Sequence, residues 1–418
     1  MVRLCLFDLD QTLVDSHDIE QLRLAGVHRA DPAYVGEVQA AFRVRDRRIV
    51  DEAFLLDLRQ RFPDMKLGIF TRSPRRYVQA VLQAAYPNIQ WNAVVAYEDV
   101  RNHKPHGEGI HIAMKSVGMT RASDLPDVLT VGDGDVDIRA AYHAGCPTVL
   151  FKQGWPDHYE RTHWRAMDLL PDAIATTPAE LLSAITDPIP KLPDLECLLA
   201  DSQRTPARPR FDGIAKFFPN DRTRHVIHAA GRSFAGYESL NYRRAWHGLS
   251  QSIQDNKEAM VFPVQWVDTI KRFIAYHYRM IAAIPFGEGP ELVVTAIPAR
   301  PERVHRLGRL IEQLAASYGD TPRMNRMRLT FDPGVLAYRP GVRSQSREHL
   351  SPDERFANVR DHLYVVNPAA ARGRKFLVID DVATTGATLL YAQQYLTNAG
   401  ATSVDCFSIA QNVSDPLR

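Results

Sequence analysis

The chain opens by repeating one pattern: a short apolar run, then a longer stretch with apolar residues at helical spacing. Alternation of this kind leaves little choice of fold. Parallel strands need crossover connections, so short buried strands separated by helices build a parallel sheet covered by helices. The runs 3–9, 66–71, 93–96, 128–132 and 148–151 are the strand candidates. Residues 17–61 lie between the first two and are rich in Arg, Glu and Leu, which suits a small helical cap. The segment 187–210 has prolines, arginines and no period, and reads as a linker. Beyond it, 211–283 mixes aromatic and basic residues, and α/β alternation returns over 284–418. With 418 residues, two or three domains are expected.

The ends of the strand candidates hold the chemistry. In "LCLFDLDQTLVDS" the apolar run stops at Asp8-Leu9-Asp10, with Thr12 following. Residues i and i+2 of a strand share a face, so the two carboxylates are expected to project together and to need a compensating charge such as Mg²⁺. Thr71 closes the second run, Lys104 lies in "RNHKPHGEGI", and Asp133 and Asp137 follow "VLTVG". In open parallel sheets, ligands collect at the carboxyl ends of strands.

This ordered set resembles the haloacid dehalogenase-like (HAD) superfamily of phosphohydrolases over 1–186. The resemblance implies that Asp8 is a nucleophile forming an aspartyl-phosphate and that Asp10 is the general acid and base. It implies Mg²⁺ held by the Asp8 carboxylate, the Asp10 backbone carbonyl and Asp133, with Asp137 behind the metal or Lys104. Thr71 and Lys104 would face the phosphoryl oxygens. Asp at position 10 points to a phosphatase or phosphomutase.

A second stretch, "FLVIDDVATTGATL", repeats the logic. Four apolar residues lead to Asp380 and Asp381, then to the small, hydroxyl-rich turn Ala383, Thr384, Thr385, Gly386, Ala387 and Thr388. Such a turn before a helix offers backbone N–H groups to an anion, and the adjacent acids suit sugar hydroxyls or a metal on them. The stretch resembles the 5-phosphoribosyl-1-pyrophosphate (PRPP) motif of type I phosphoribosyltransferases. The resemblance implies that Asp380 and Asp381 hold the ribose hydroxyls, that 383–388 wrap the 5′-phosphate, and that Mg²⁺ bridges pyrophosphate and sugar. Around it, Gln345, Leu350, Glu354, Arg355 and Asn358 are similar to the hood of the competence-associated branch of that family, with Gln345 and Arg355 as candidate hood contacts. The branch's cysteine zinc cluster is missing, so its acceptor specificity does not transfer.

The expected fold class is therefore α/β, with two Rossmann-like parallel-sheet domains. The boundaries are 1–186 (HAD-like, cap 17–61), 187–210 (linker), 211–283 (hood or N-terminal extension) and 284–418 (transferase core). The expected function is a bifunctional Mg²⁺-dependent enzyme. It would couple a PRPP-dependent phosphoribosyltransferase to a phosphomonoesterase acting on a nucleotide-like or sugar-phosphate metabolite. Two alternatives stay open: a PRPP-sensing phosphatase and a nucleic-acid end-processing phosphatase. The partners expected are PRPP, a phosphate monoester and an unidentified acceptor. A net charge of +2 gives no broad basic surface, so nucleic acid is not favoured. A homodimer is open. The dispersed cysteines Cys5, Cys146, Cys197 and Cys406 and the lack of a long apolar stretch point to a cytoplasmic protein without membrane spans.

Overall fold

The computed structural model describes residues 2–29, 31–234, 236–282, 290–320, 323–324, 326–343 and 350–418. It divides into two compact units. The first comprises Met1–Lys191, Phe234–His247 and Ser414–Arg418, and the second Leu192–Ser233 and Gly248–Val413.

The first unit is built on six strands: β1 (Leu4–Phe7), β2 (Lys66–Phe70), β3 (Ala93–Val95), β4 (Val128–Gly132), β5 (Thr148–Phe151) and β6 (Ala173–Ala175). Their order is β3-β2-β1-β4-β5-β6, and every pairing is parallel. Alternation along β1 feeds two apolar layers. Cys5 and Phe7 join the layer holding Val78, Val81 and Leu181, whereas Leu4 and Leu6 join the one holding Ile110, Ala113 and Ala141. The strand order reverses between β1 and β4, which puts a crevice outside their carboxyl ends. Between β1 and β2 run the helices Glu20–Ala25, Pro32–Val44 and Glu52–Arg61. Tyr34, Val38, Leu55 and Leu58 from these helices are buried against the first layer.

The second unit holds β7 (Asp212–Lys216), β8 (His225–Ala229), β9 (Arg232–Ser233), β10 (Glu291–Ala296), β11 (Arg323–Met324), β12 (Met327–Phe331), β13 (Leu336–Tyr338), β14 (Leu363–Val365), β15 (Lys375–Ala383) and β16 (Ser403–Asn412). The main sheet runs β11-β12-β10-β15-β16-β8-β7, with β9 also on β16. Its centre, β12-β10-β15-β16-β8, is parallel, and β7 and β11 close the edges antiparallel. Phe376–Ile379 on β15 are buried, as a strand covered on both faces requires.

The unit boundaries differ from the sequence-based expectation in two places. The expected linker 187–210 contains the helix Asp194–Ala200, whose Leu195 and Cys197 are buried in the second unit. There Glu196 forms a buried ion pair with Arg232, and Asp194 accepts from Thr269 Oγ1 at 2.6 Å and Arg272 Nε at 2.9 Å. The proline content that marked a linker only flanks this helix. The second difference lies within 211–283, expected to be one hood. Its piece Phe234–His247 belongs to the first unit, because Arg243 is buried there against Asp172 and lies 4.2 Å from the Trp246 ring. Phe234 packs edge-on against Tyr142 in the same place.

Candidate functional site

β1 ends at Phe7, and Asp8 is the first residue beyond it. The Asp8 N–H still bonds to the Val131 carbonyl, at 2.8 Å, so its side chain leaves the sheet beside the end of β4. The chain then turns through Gln11 in the left-handed region (φ 60°), which brings Thr12 Oγ1 within 3.0 Å of Asp133 Oδ1. Lys104, its side chain only 3% exposed, reaches in from the loop after β3. Its Nζ donates to Asp8 Oδ1 at 2.6 Å and to Asp137 Oδ1 at 2.7 Å. Thr71, buried at the end of β2, accepts from the Ser73 N–H at 3.1 Å.

Asp8, Asp133 and Asp137 each offer an oxygen, and the three oxygens lie within 4.8 Å of one another. Lys104 alone does not neutralise them. Burial, above all, raises Asp8 to about 7; Lys104 opposes the rise, and the charges of Asp137 and Asp10 add to it. Asp133 is raised well above the ordinary carboxylate range by burial, then by Asp137 and Asp8. Burial pulls Lys104 down, but Asp137 and Asp8 outweigh it and leave its ammonium held above the ordinary value. A compact set of hard oxygen donors with surplus negative charge is the chemistry of a Mg²⁺ site, so these residues fit the ion expected there.

Asp10 departs from expectation. Asp10 is not one of the three acids whose oxygens lie within 4.8 Å of one another, yet its charge still reaches Asp8. Ser16 Oγ donates to its Oδ1 at 2.6 Å, Tyr77 Oη to Oδ1 at 3.0 Å, and Ser73 Oγ to Oδ2 at 2.5 Å. Arg23, on the helix Glu20–Ala25, comes within 3.9 Å of Oδ2. Sequence reading missed these four partners. Ser16 was within the quoted opening stretch and Ser73 lies two residues past Thr71. Tyr77 is buried in the first turn of the helix Arg75–Ala85, which begins just after Ser73.

In the second unit, Asp380 and Asp381 sit near the carboxyl end of β15 and line a cavity of about 690 Å³. Ile297–Arg300, which follow β10, and Lys257, Arg303 and Arg306 line it too. Arg306 Nη2 pairs with Asp381 Oδ2 at 2.5 Å. Burial, then the Asp381 charge, raises Asp380 well above the carboxylate range. Ala383 donates its N–H to Ser408 Oγ at 3.0 Å, and the Thr384 carbonyl accepts from Lys216 Nζ at 2.8 Å. Gly386 has φ 80°, a left-handed conformation that favours glycine, and a Cβ there would have to displace the tip of Ile227 at 2.8 Å. Ala387 starts the helix Ala387–Asn398, with Thr388 in its first turn, and Thr385 Oγ1 accepts the Ala387 N–H at 3.4 Å. Gln345 lies outside the described residues. Arg355 donates to the Leu350 carbonyl at 3.0 Å and does not line the cavity.

Residues 52–151 match the family model described as haloacid dehalogenase-like hydrolase. The N-terminal part of the chain holds a HAD-like hydrolase domain. The chain is 28% identical over 233 residues to a phosphoglycolate phosphatase of Photorhabdus laumondii, covering 46% of this chain and 95% of that protein. It is 31% identical over 122 residues to the phosphoglycolate phosphatase of Escherichia coli K12, spanning 29% of this chain and 44% of that relative. A solved structure described as a predicted phosphoglycolate phosphatase from Haemophilus somnus covers 44% of this chain and 97% of its own, at 20% identity and a TM-score of 0.32. Among the described residues, no helix is long and apolar enough to cross a membrane.

Proposed function

We propose that the first unit hydrolyses the phosphate monoester of a small molecule. The observation that carries this is the placement of Asp8: held by Lys104, clustered with Asp133 and Asp137, and beside an Asp10 gripped by three hydroxyls. An Asp8 oxygen attacks phosphorus, and the bond to the leaving oxygen breaks as Asp10 gives that oxygen a proton. Water then attacks the aspartyl-phosphate, Asp10 takes its proton, and inorganic phosphate leaves with Asp8 restored. Lys104 faces the phosphoryl oxygens and offsets their charge. Asp8, Asp133 and Asp137 would hold Mg²⁺, which when bound neutralises carboxylates and phosphoryl oxygens together. The test is phosphate release from p-nitrophenyl phosphate and 2-phosphoglycolate with MgCl₂, on wild type and Asp8→Asn. Release abolished by the substitution supports the reading. Release that survives it, or no release from any monoester, overturns it.

For the second unit we infer a PRPP site in the 690 Å³ cavity. Its support is that Asp380 and Asp381, suited to a diol, share one cavity with Arg300, Arg303 and Lys257, suited to phosphates; Glu258 and Glu302 line it too, and residues 383–388 do not. The enzyme would then be bifunctional, transferring ribose 5-phosphate to an acceptor with release of pyrophosphate. Calorimetry with PRPP and a pyrophosphate assay with a panel of bases test this, with Asp380→Asn/Asp381→Asn as the control. Binding lost in the double variant supports the site. Acceptor-dependent pyrophosphate makes it a transferase, and binding without turnover makes it a PRPP sensor. Equal affinity in wild type and variant removes it.

A further inference from the structure

The first unit holds a cavity of about 340 Å³ that none of Asp8, Asp10, Lys104, Asp133 and Asp137 lines. One wall is the helix Glu108–Ser116, which gives it His111, Met114 and Lys115, at the i, i+3 and i+4 spacing of a single helix face. Met119 and Leu125 continue the surface from Met114, and all three are buried in the apolar layer that holds Ile110. Tyr242, on the helix Asn241–Trp246, adds another wall. Trp246 Nε1 fixes that helix by donating to the Gly145 carbonyl at 2.8 Å, while Tyr242 stays 53% exposed.

Two cations complete the lining, and no carboxylate joins them. Lys115 is exposed, and among the described residues its ammonium has no hydrogen-bond or ion-pair partner. Arg121 keeps 77% of its side chain exposed and lies 3.6 Å from Asp124, whose Oδ1 already accepts from Arg3 Nη1 at 3.0 Å. Burial, then the charge of His106, holds His111 below its ordinary value, so it adds ring surface rather than charge. An apolar floor with surplus positive charge suits a small anion with an apolar body. Methionine side chains adapt to a ring, and a carboxylate gains charge-assisted hydrogen bonds from Lys115 and Arg121. Inorganic phosphate would leave the floor unused, and a neutral ring would leave the cations unused.

The same helix begins at Glu108, whose carboxylate accepts the Arg101 N–H at 3.1 Å and the Asn102 N–H at 2.9 Å. Those two residues lead directly into the loop that carries Lys104. We propose that this cavity is an effector site for a small arylcarboxylate, whose occupant acts on Lys104 through the helix Glu108–Ser116. The effector role rests on the phosphatase reading of the first unit, and the binding site does not.

The experiment uses the full chain, 2-naphthoate as probe and 2-naphthylmethanol as its neutral counterpart. By calorimetry, Lys115→Gln should weaken naphthoate about tenfold and leave naphthylmethanol unchanged, whereas Tyr242→Ala should weaken both. Absent naphthoate binding, or equal affinity in wild type and Lys115→Gln, overturns the site. Saturating naphthoate should change kcat for p-nitrophenyl phosphate by about twofold or more, a modest coupling between sites. Lys115→Gln should keep the basal kcat and respond less at the same concentration. Bound naphthoate that leaves kcat unchanged, or that alters KM alone as a competitor in the crevice would, overturns the effector role. If wild type hydrolyses no monoester, the phosphatase reading and the effector role fall together, and calorimetry alone decides the site.

Discussion

Lys104 Nζ lies 2.6 Å from Asp8 Oδ1, joining the loop after β3 to the first residue beyond β1 across nearly a hundred positions of sequence. The same nitrogen holds Asp137, so one buried cation serves two of three clustered carboxylates. Lys104→Met removes that charge while keeping most of the volume. The expected result is a fall in kcat of about 10²–10³-fold for a phosphate monoester, the size of losing one preorganised electrostatic contact. Unfolding in urea should show a loss of about 3 kcal/mol, because the acids stay buried without their cation.

Asp133 makes the opposite prediction. Its carboxyl is raised by burial and by the charges of Asp137 and Asp8, so ionising it costs stability in the metal-free protein. Asp133→Asn should therefore raise the unfolding midpoint in EDTA by the equivalent of about 1 kcal/mol while hydrolysis falls, a trade of stability against function. MgCl₂ at a hundred times its Kd should stabilise wild type by about 2.7 kcal/mol. Thermal melts of both proteins with and without MgCl₂ check this; an equal magnesium shift in the variant would remove Asp133 from the metal site.

The Glu196–Arg232 pair is buried on both sides, with side chains 4% and 0% exposed. Breaking such a pair leaves a charge without compensation. Glu196→Ala should cost the second unit about 3–5 kcal/mol. A denaturation midpoint close to that of wild type would show that the helix Asp194–Ala200 is dispensable, as a linker would be.

His228 is pushed down to about 4 by burial and then by neighbouring His277, while Asp405 opposes the shift. The ordinary value is 6.5, so the unfolded chain binds a proton that the native imidazole refuses. His228 thus contributes stability that is fully present above about 6.5 and is lost as pH falls toward about 4. The loss should reach about 1–3 kcal/mol, discounted for partial exposure. Urea melts at pH 7, 5.5 and 4.5 should show a shallower fall for His228→Phe than for wild type. Parallel curves would sink the assignment.

Sequence reading carried furthest where function depends on a strand end. β1, β2, β3, β4 and β5 lie within a residue or two of their expected runs, because buried strands between helices are marked by continuous apolar residues that stop at a polar one. Asp8, Thr71 and Asp133 stand just past those ends for the same reason, whereas Lys104 comes from the long loop after β3 and Asp137 from the first turn of the helix Asp135–Ala144. Asp10 shows the limit. Its spacing from Asp8 says nothing of the hydroxyls that hold it, which come from a turn and a distant helix. Local periodicity holds no information about a donor 67 residues away.

By itself the sequence determined the α/β alternation, the strand ends and the residue types standing there. Each of these follows from the backbone's own periods of 2 and 3.6 and from the need to bury contiguous apolar runs. Only the tertiary structure decided which carboxylate Lys104 neutralises, which hydroxyls grip Asp10, and which unit Asp194–Ala200 and Phe234–His247 complete. Those choices depend on compensating a buried charge with whatever partner three-dimensional packing brings within about 3 Å, and a charge carries no mark in the sequence of the partner it will meet.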